Sequence, residues 1–407
     1  MCMKCDFVIK NGYIYVDHLL LKKDIGINDG IIVKVDDKID DCVDFVDATN
    51  CIVMPGFINT HIHFGEYYIK GYDKKLSTSE YIEYAEKINL DNINNKELMR
   101  ITSSKICAYE AISYGQTTLM GIRGWNALED YNIRLYMGYP LMKSNKLKEY
   151  LDNPFEQFEK FKNDRYNTYY IFVHSLLMVD ENILKALSNY LKHNNILLAI
   201  HLKETKEEEK KIINKYGLGS IELLEKYDLL SNKTLLVHCC YLNDKDIEII
   251  RNHNCTISIN PNSNLKLKNR IININKLKNI NVCIGTDGVA TNDSLNIIDS
   301  VKTLGLLYDI SSEELIDMIT INPNKFLNNN IGKICVGYKA DFNIYDLNNY
   351  KIVRKESFIN NLVYSSNINP KYVIVDGKYI VKNYNNIKLN EIDVVKMNIS
   401  DNLKFNK

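Results

Sequence analysis

The sequence has no excess of charge of either sign and no long apolar run. Its 51 basic and 51 acidic residues cancel over 407 positions, and no long basic run occurs, so neither nucleic acid nor an anionic membrane is an expected partner. No stretch reaches the ~18 apolar residues of a membrane-spanning helix, and residues 1–10 lack the pattern of a signal peptide. We therefore expect a cytoplasmic protein whose partner is a small molecule.

The cysteines lack the spacing of a disulfide framework or of a metal site. Ten are present, and several, such as Cys107 and Cys283, lie in apolar strand-like segments, where a reduced cysteine packs as a small hydrophobic residue. Cys2 and Cys5 form a CxxC without a second pair, which is weak support for a metal or redox site. We expect the cysteines to be mostly reduced and structural.

Both ends of the chain have the alternation of paired β-strands. An Asn-Gly turn and an Asp-Gly turn separate strand-like runs within residues 7–35. Near the other end, residues 337–345 and 372–378 again predict strands with a turn. We expect residues 1–55 and 335–407 to pair into one composite β-sandwich domain.

Between these ends, short β-rich apolar runs alternate with helical patterns. Such alternation indicates parallel strands joined by crossover helices, and residues 56–334 have the right length for one barrel. We therefore predict the α/β class, with a (β/α)8 TIM-type barrel as the second domain. The strand-like runs used here are 117–121, 169–174, 196–201, 234–238, 256–259 and 282–287.

Polar side chains close several of these runs, at the strand ends where barrels of this type place their reactive groups. His61 and His63 follow one such run, and the period of two puts both imidazoles on one face of the strand. His201, His238 and Asp287 each end another apolar run. Three imidazoles and one carboxylate from this set suit a divalent metal ion and leave a position for water. We predict a metal site, with zinc favoured and iron as the alternative.

The nine residues that end in the paired histidines resemble the signature of the amidohydrolase superfamily; they are Pro55-Gly56-Phe57-Ile58-Asn59-Thr60-His61-Ile62-His63. Further segments are similar to the branch that contains S-adenosylhomocysteine/methylthioadenosine deaminases and the chlorohydrolase-like s-triazine hydrolases. The resemblance covers about residues 7–380. The segments that carry it are 201–205, 237–239, 260–264, 285–292 and 332–341.

This resemblance implies one metal ion and three catalytic residues. Asp287 would accept a proton from the activated water, and His238 would stabilise the developing oxyanion without being a primary ligand. Glu204 would protonate a ring nitrogen of the substrate and carry a proton to the leaving ammonia. The implied metal ligands are His61, His63, His201 and Asp287.

Five residues are candidate substrate contacts. His174 matches a ribose-contacting position of the adenosine-like deaminases, and Arg134 is a weaker candidate of the same kind. Glu66, Arg123 and Trp125 depart from the pattern of the branch. If Glu66 points inward, it should meet an arginine or a cationic substrate group, because an unpaired buried carboxylate is costly. Arg123 and Trp125 are suited to clamping a carboxylate or stacking on a ring.

The expected activity is hydrolytic deamination of an aminated N-heterocycle, purine- or adenosine-like, with release of ammonia. Hydrolysis of a cyclic amide C–N bond or a C–Cl bond by the same centre is the alternative, because the metal determines the nucleophile and not the leaving group. A binding protein that has kept the barrel is disfavoured, since all ligands are present. The HxE and PCxxC of cytidine-type deaminases are absent. Homo-oligomers are common in the branch, so the resemblance also allows one here.

Overall fold

The computed structural model describes residues 4–72, 75–91, 93–128, 131–141 and 154–387. Within these ranges the chain forms strands, twelve α-helices and short 3-10 helices. In chain order the strands are β1 (Cys5–Lys10), β2 (Tyr13–Val16), β3 (Leu19–Lys22), β4 (Asp24–Asn28), β5 (Ile31–Asp36), β6 (Cys42–Asp47), β7 (Cys51–Pro55), β8 (Phe57–His63), β9 (Gln116–Ile122), β10 (Arg134–Leu141), β11 (Asn167–Val173), β12 (Leu198–Leu202), β13 (Thr234–His238), β14 (Thr256–Ile259), β15 (Asn281–Ile284), β16 (Phe342–Asp346), β17 (Tyr372–Val375), β18 (Lys378–Lys382) and β19 (Asn385–Asn386).

Strands β8 to β15 form one sheet in which each strand pairs in parallel with the next along the chain. The sheet closes into a barrel because the backbone amides of Thr286 and Asp287, just after β15, donate to the carbonyl oxygen of His61 in β8 at 3.1 and 2.9 Å. Every residue of β8 and β9 is buried, as expected for parallel strands covered on both faces. The predicted (β/α)8 barrel is confirmed.

The helices follow the barrel strands and cover them. Several helices begin at side-chain caps: Thr205 accepts from the backbone amide of Glu208, and Asn243 and Ser311 form capping boxes with Asp246 and Glu314. The helices are α1 (Thr78–Asp91), α2 (Lys96–Ser113), α3 (Glu181–His193), α4 (Lys206–Tyr216), α5 (Ser220–Lys226), α6 (Asp244–Asn252), α7 (Pro261–Lys266), α8 (Val289–Asn292), α9 (Ile297–Leu307), α10 (Ser312–Asp317), α11 (Ile321–Leu327) and α12 (Phe358–Tyr364). Throughout the described residues, every helix is too short or too polar to span a lipid bilayer.

The remaining strands form two further sheets, one of which joins the two ends of the chain. One has the order β5-β4-β1-β6, and the other the order β19-β18-β17-β16-β7-β2-β3. The second sheet is composite, because β7 from the N-terminal segment pairs antiparallel with β16 from the C-terminal segment. Phe7 and Ile25 of the first sheet share a hydrophobic cluster with Ile344 and Ile374 of the second. The sandwich of both chain ends is therefore present; the exact domain boundaries at residues 55 and 335 stay a prediction.

Arg134 is located away from the site for which the sequence suggested it. It is the first residue of β10 and therefore lies at the amino-terminal end of the barrel, opposite the strand ends that carry the histidines. Its Nε and Nη2 donate to the two carboxylate oxygens of Asp341, both at 2.9 Å, and the pair is buried. Such a bidentate pair is rigid. Arg134 joins the barrel to the sandwich and is not a substrate contact.

Candidate active site

Three histidines meet at the carboxyl ends of the barrel strands. His61 and His63 lie two residues apart on β8 and point to the same side, while His201 comes from β12. The Nε2 of His61 lies 3.1 Å from the Nε2 of His63 and 3.0 Å from the Nε2 of His201. One oxygen of Asp287, Oδ1, lies 3.3 Å from the Nε2 of both His61 and His63. The structure therefore brings all four predicted metal ligands together.

The protonation of these rings fits a bound cation. The Nδ1 of His201 lies 3.0 Å from the carbonyl oxygen of His174, so this nitrogen donates and the Nε2 of the neutral ring carries a lone pair. Burial lowers the pKa of His61 to about 4, and burial also lowers the pKa of His201 well below its usual value. The Nε2 atoms of His63 and His201 lie 3.1 and 3.0 Å from the Nε2 of His61, so the three imidazoles are close enough to ligate one divalent cation.

Asp287 is oriented by two hydroxyl groups. Its Oδ2 accepts from Ser263 at 2.5 Å and from Thr291 at 3.0 Å, which leaves Oδ1 for the histidine cluster. Burial would raise the pKa of Asp287, but the neighbouring histidines, His63 first, lower it well below the ordinary value. The carboxylate is therefore ionised. The backbone of Asp287 has a φ of 62°, an unusual conformation of the kind that clusters at functional sites.

His238 ends β13 beside the same cluster. Its Nδ1 lies 2.9 Å from Oδ1 of Asn264, so Nδ1 donates and Nε2 is directed elsewhere. Burial lowers the pKa of His238, but the negative charges of Glu204 and Asp287 outweigh burial and raise it overall. The raised pKa favours the form protonated on both nitrogens, in which Nε2–H can donate. His61, His238 and Asp287 also form a second group whose ligand atoms lie within 4.8 Å of one another.

Glu204 lies on the loop between β12 and α4, with one carboxylate oxygen held and the other directed to the site. Its Oε1 accepts from Thr78 at 3.2 Å and from Asn269 at 3.4 Å. Its Oε2 lies 3.9 Å from the Nε2 of His238. The two predicted proton-handling residues are therefore neighbours, and both lie next to the histidine cluster.

Glu66, Arg123 and His174 also lie at the mouth of the barrel and contact each other. Glu66 points inward and forms a short ion pair with Arg123, as expected for a buried carboxylate. Arg123, which follows β9 with a φ of 59°, also donates to the Nε2 of His174 at 2.8 Å. Trp125 begins the 3-10 helix Trp125–Ala127; its side chain lies outside the described residues, and its contact with substrate stays a prediction.

Glu208 is a feature of the site that the sequence reading missed. The spacing of Thr205 and Glu208 is typical of a capping box, in which the glutamate side chain folds back on the helix start. Instead, Oε1 of Glu208 accepts from the hydroxyl of Ser175 at 2.7 Å. Burial raises the pKa of Glu208 to about 7; the Ser175 hydrogen bond opposes this shift, and the charge of Glu204 adds to it.

A carboxyl group with this raised pKa makes stability depend on pH. The folded state favours the protonated form, so the stabilisation is complete below the ordinary pKa of 4.5 and is lost as the pH rises through about 7. Glu208→Gln keeps the neutral shape and removes the titration. Between pH 5 and 8, the free energy of unfolding of the metal-free wild type should fall by about 1–3 kcal/mol relative to the variant, measured by urea unfolding.

The control for this experiment is Glu207→Gln, because Glu207 is the exposed neighbour on the same helix. Its unfolding curve should follow that of the wild type at every pH. Parallel pH profiles for the wild type and Glu208→Gln would contradict the assignment, since they would show that Glu208 titrates equally in the folded and unfolded states.

The barrel and the histidine–aspartate cluster at its mouth are those of a metal-binding hydrolase, and the family and the relatives described next indicate a hydrolase that acts on C–N bonds. The chain belongs to the amidohydrolase family, whose family model matches residues 52–380. It is 30% identical over 404 residues to the 5-methylthioadenosine/S-adenosylhomocysteine deaminase of Thermococcus kodakarensis, covering 92% of this chain and 93% of the relative. It is 29% identical over 370 residues to the 5'-deoxyadenosine deaminase of Methanococcus aeolicus, covering 85% of each. The predicted superfamily is confirmed.

Solved structures share the fold. The zinc complex of atrazine chlorohydrolase from Arthrobacter aurescens superimposes with a TM-score of 0.90 at 16% identity, covering 98% of this chain and 100% of the other. A zinc-bound adenosine deaminase from Xanthomonas campestris gives a TM-score of 0.89 at 18% identity, with 98% and 99% covered. These neighbours have different leaving groups on one fold, so fold alone does not select the substrate.

Proposed function

We propose that this protein is a hydrolytic deaminase of adenosine-like purine nucleosides that releases ammonia. The observation that carries the proposal is the position of Glu204, whose Oε2 lies 3.9 Å from the Nε2 of His238. The ring of His238 in turn lies beside those of His61 and His201. A deaminase needs such a proton carrier because the amino group leaves as ammonia. The names of the relatives at about 30% identity support the nucleoside class.

We assign one divalent ion, zinc in preference to iron, to His61, His63, His201 and Asp287. Their donor set of three imidazole nitrogens and one carboxylate oxygen suits zinc, and zinc is present in the two structural neighbours described above. A divalent ion held there supplies a water nucleophile that ionises near neutral pH. The same proposal places the enzyme in the cytoplasm, as a homo-oligomer by analogy with the branch.

The side chains divide the proton transfers of the reaction. Asp287 is ionised and accepts a proton from the attacking water, while Glu204 in its protonated form donates to the ring nitrogen next to the carbon under attack. The Nε2–H of His238 donates to the oxygen that gains negative charge. A C–O bond forms and the C–N bond to the amino group breaks. The proton on Asp287 passes through Glu204 to the leaving nitrogen and ammonia departs, and the remaining proton of the added water then returns to Glu204, which restores its protonated form.

His174 is the proposed contact for the sugar. Because Arg123 donates to its Nε2, the neutral ring carries its proton on Nδ1, and burial followed by the charge of Arg123 lowers its pKa to about 3. His174 is therefore a neutral ring with one N–H donor, which suits a ribose hydroxyl.

The proposal is tested by incubating the purified, zinc-loaded protein with a panel of substrates. The panel contains adenosine, 5'-deoxyadenosine, methylthioadenosine, S-adenosylhomocysteine, guanine and a chlorotriazine, with inosine as the already deaminated control. We expect ammonia from the adenosine-type compounds, with a product in which oxygen has replaced the amino group. Chloride release or a ring-opened product without ammonia would overturn the deaminase and favour the alternative hydrolysis of a C–Cl or amide bond. Silence across the panel would overturn both.

A further inference from the structure

A chain of contacts behind the predicted metal site connects two of its proposed ligands, His63 and His201. The Nδ1 of His63 lies 3.3 Å from Oε1 of Glu66, and the same oxygen is paired with Arg123. Arg123 donates to the side chain of His174 at 2.8 Å, and the carbonyl oxygen of His174 lies 3.0 Å from the Nδ1 of His201. We call Glu66, Arg123 and His174 the outer bridge, because it runs from His63 to His201 outside the ring of ligands.

Glu66 is fully engaged within the protein. Its Oε1 meets both His63 and Arg123, and its Oε2 accepts from the hydroxyl of Tyr81 at 3.1 Å. The side chain is only 7% exposed. Burial would raise the pKa of Glu66, but Arg123 and His63 lower it to about 2. Because both oxygens are engaged and the side chain is buried, Glu66 is directed at the protein and not at the open site.

Glu66 also packs against the loop of the fourth ligand. A Cβ added to Gly288, the residue after Asp287, would lie 2.9 Å from Oε2 of Glu66 and 3.5 Å from Cβ of His63. Only a glycine therefore lets the loop that carries Asp287 approach this carboxylate without a shift. Glu66 therefore lies between His63 on β8 and the backbone of the loop that carries Asp287.

Both terminal nitrogens of Arg123 contact other side chains of the protein. One of its terminal nitrogens is on Glu66 and the other on the Nε2 of His174, so the two ends of its planar fork are both used. Only a guanidinium has two such nitrogens in a fixed geometry, and a lysine has a single ammonium. Both Glu66 and Arg123 depart from the pattern of the branch, and one contact explains the two departures together.

We propose that the outer bridge positions His63 and His201 as metal ligands, so that Glu66 and Arg123 set the metal affinity of the site and are not substrate contacts. A carboxylate on the far nitrogen of a ligating histidine fixes its tautomer, orients its ring and raises its basicity. Arg123 neutralises that carboxylate and ties it to the residue whose carbonyl orients His201. This inference rests on the metal site of the proposed function.

The test is the rate at which the protein loses zinc to a coloured chelator, compared for the wild type, Glu66→Gln, Arg123→Lys and the pair Glu66→Gln/Arg123→Lys. The control is Glu156→Gln, which removes an exposed carboxylate paired with Lys160. We expect zinc loss from Glu66→Gln to be faster by about 10–100-fold, the range by which metal affinity falls when an outer partner of a ligand is removed, and the control to lose zinc at the wild-type rate. Arg123→Lys should fall between them, and the double variant should resemble Glu66→Gln.

A second readout, the visible spectrum of the cobalt-loaded proteins, reports ligand geometry, which a purely structural role of Glu66 would leave unchanged. Zinc loss from Glu66→Gln within twofold of the wild type, with an unchanged cobalt spectrum, would overturn the inference. If Glu66→Gln does not fold, Arg123→Lys is compared with the wild type instead. Zinc loss within twofold of the wild type, with an unchanged cobalt spectrum, would then overturn the inference. A wild type that binds zinc without deaminating overturns the proposed function alone, whereas a wild type that binds no zinc overturns both.

Discussion

Glu204→Gln is expected to lower the rate of ammonia release by about 10²–10⁴-fold, the range that a positioned acid–base group contributes. Glutamine has nearly the same shape and can keep the contacts of Oε1 with Thr78 and Asn269. It cannot exchange a proton with the ring nitrogen or the leaving amine. The zinc content should stay at the wild-type level, because Glu204 is not among the proposed ligands. Steady-state ammonia release and metal analysis of the same preparations measure both quantities.

Glu207→Gln is the matched control for this variant, since it removes an exposed carboxylate three residues further along. It should deaminate at the wild-type rate. If Glu204→Gln retained more than about a tenth of the wild-type rate, below the smallest effect expected for such a group, Glu204 would not be the proton carrier. If it lost its metal instead, the ligand assignment would need to change.

His201→Ala is expected to lose both metal and activity. His201 supplies one of three imidazole nitrogens, and its Nε2 lies 3.0 Å from that of His61. Removing a direct ligand should weaken zinc binding by more than the ~10–100-fold that an outer partner costs. Ammonia release should then fall to the level of the chelator-treated wild type. Adding zinc back should restore activity to the chelated wild type and not to the variant.

The control for the ligand variant is His193→Ala, because His193 is an exposed histidine near the end of α3. It should keep full zinc content and full activity. Retention of one zinc per chain by His201→Ala would contradict the ligand set. It would then favour the second group of the same cluster, His61, His238 and Asp287, whose ligand atoms also converge.

The three variants separate the parts of the site by the property that each one loses. Glu204→Gln should lose activity and keep metal, His201→Ala should lose both, and Glu66→Gln should bind metal more weakly. Only the third pattern depends on the outer bridge. The proton carrier and the ligand set can therefore fail separately, whereas the outer bridge depends on the ligand set.

Much of the site follows from local patterns in the sequence. The spacing of His61 and His63 puts both rings on one face because strand side chains alternate with a period of two. His201, His238 and Asp287 end apolar runs, and parallel strands bring their carboxyl ends to one rim of the barrel. These relations need only the secondary structure and its order, so the sequence by itself determined the barrel and the cluster of candidate ligands.

Contacts between distant segments were decided only by the tertiary structure. Glu66 and Arg123 are 57 positions apart in the chain, and the strands that precede them, β8 and β9, are neighbours in the barrel. Arg134 and Glu208 show the same limit, because the sequence around a charged residue does not indicate its partner. The partner of Arg134 is Asp341, and the partner of Glu208 is Ser175. Local periodicity determines on which face of a strand or helix a side chain lies, whereas its partner in an ion pair or hydrogen bond depends on where another element lies. For that reason the sequence determined which residues surround the metal site, and the fold decided which of them hold it in place.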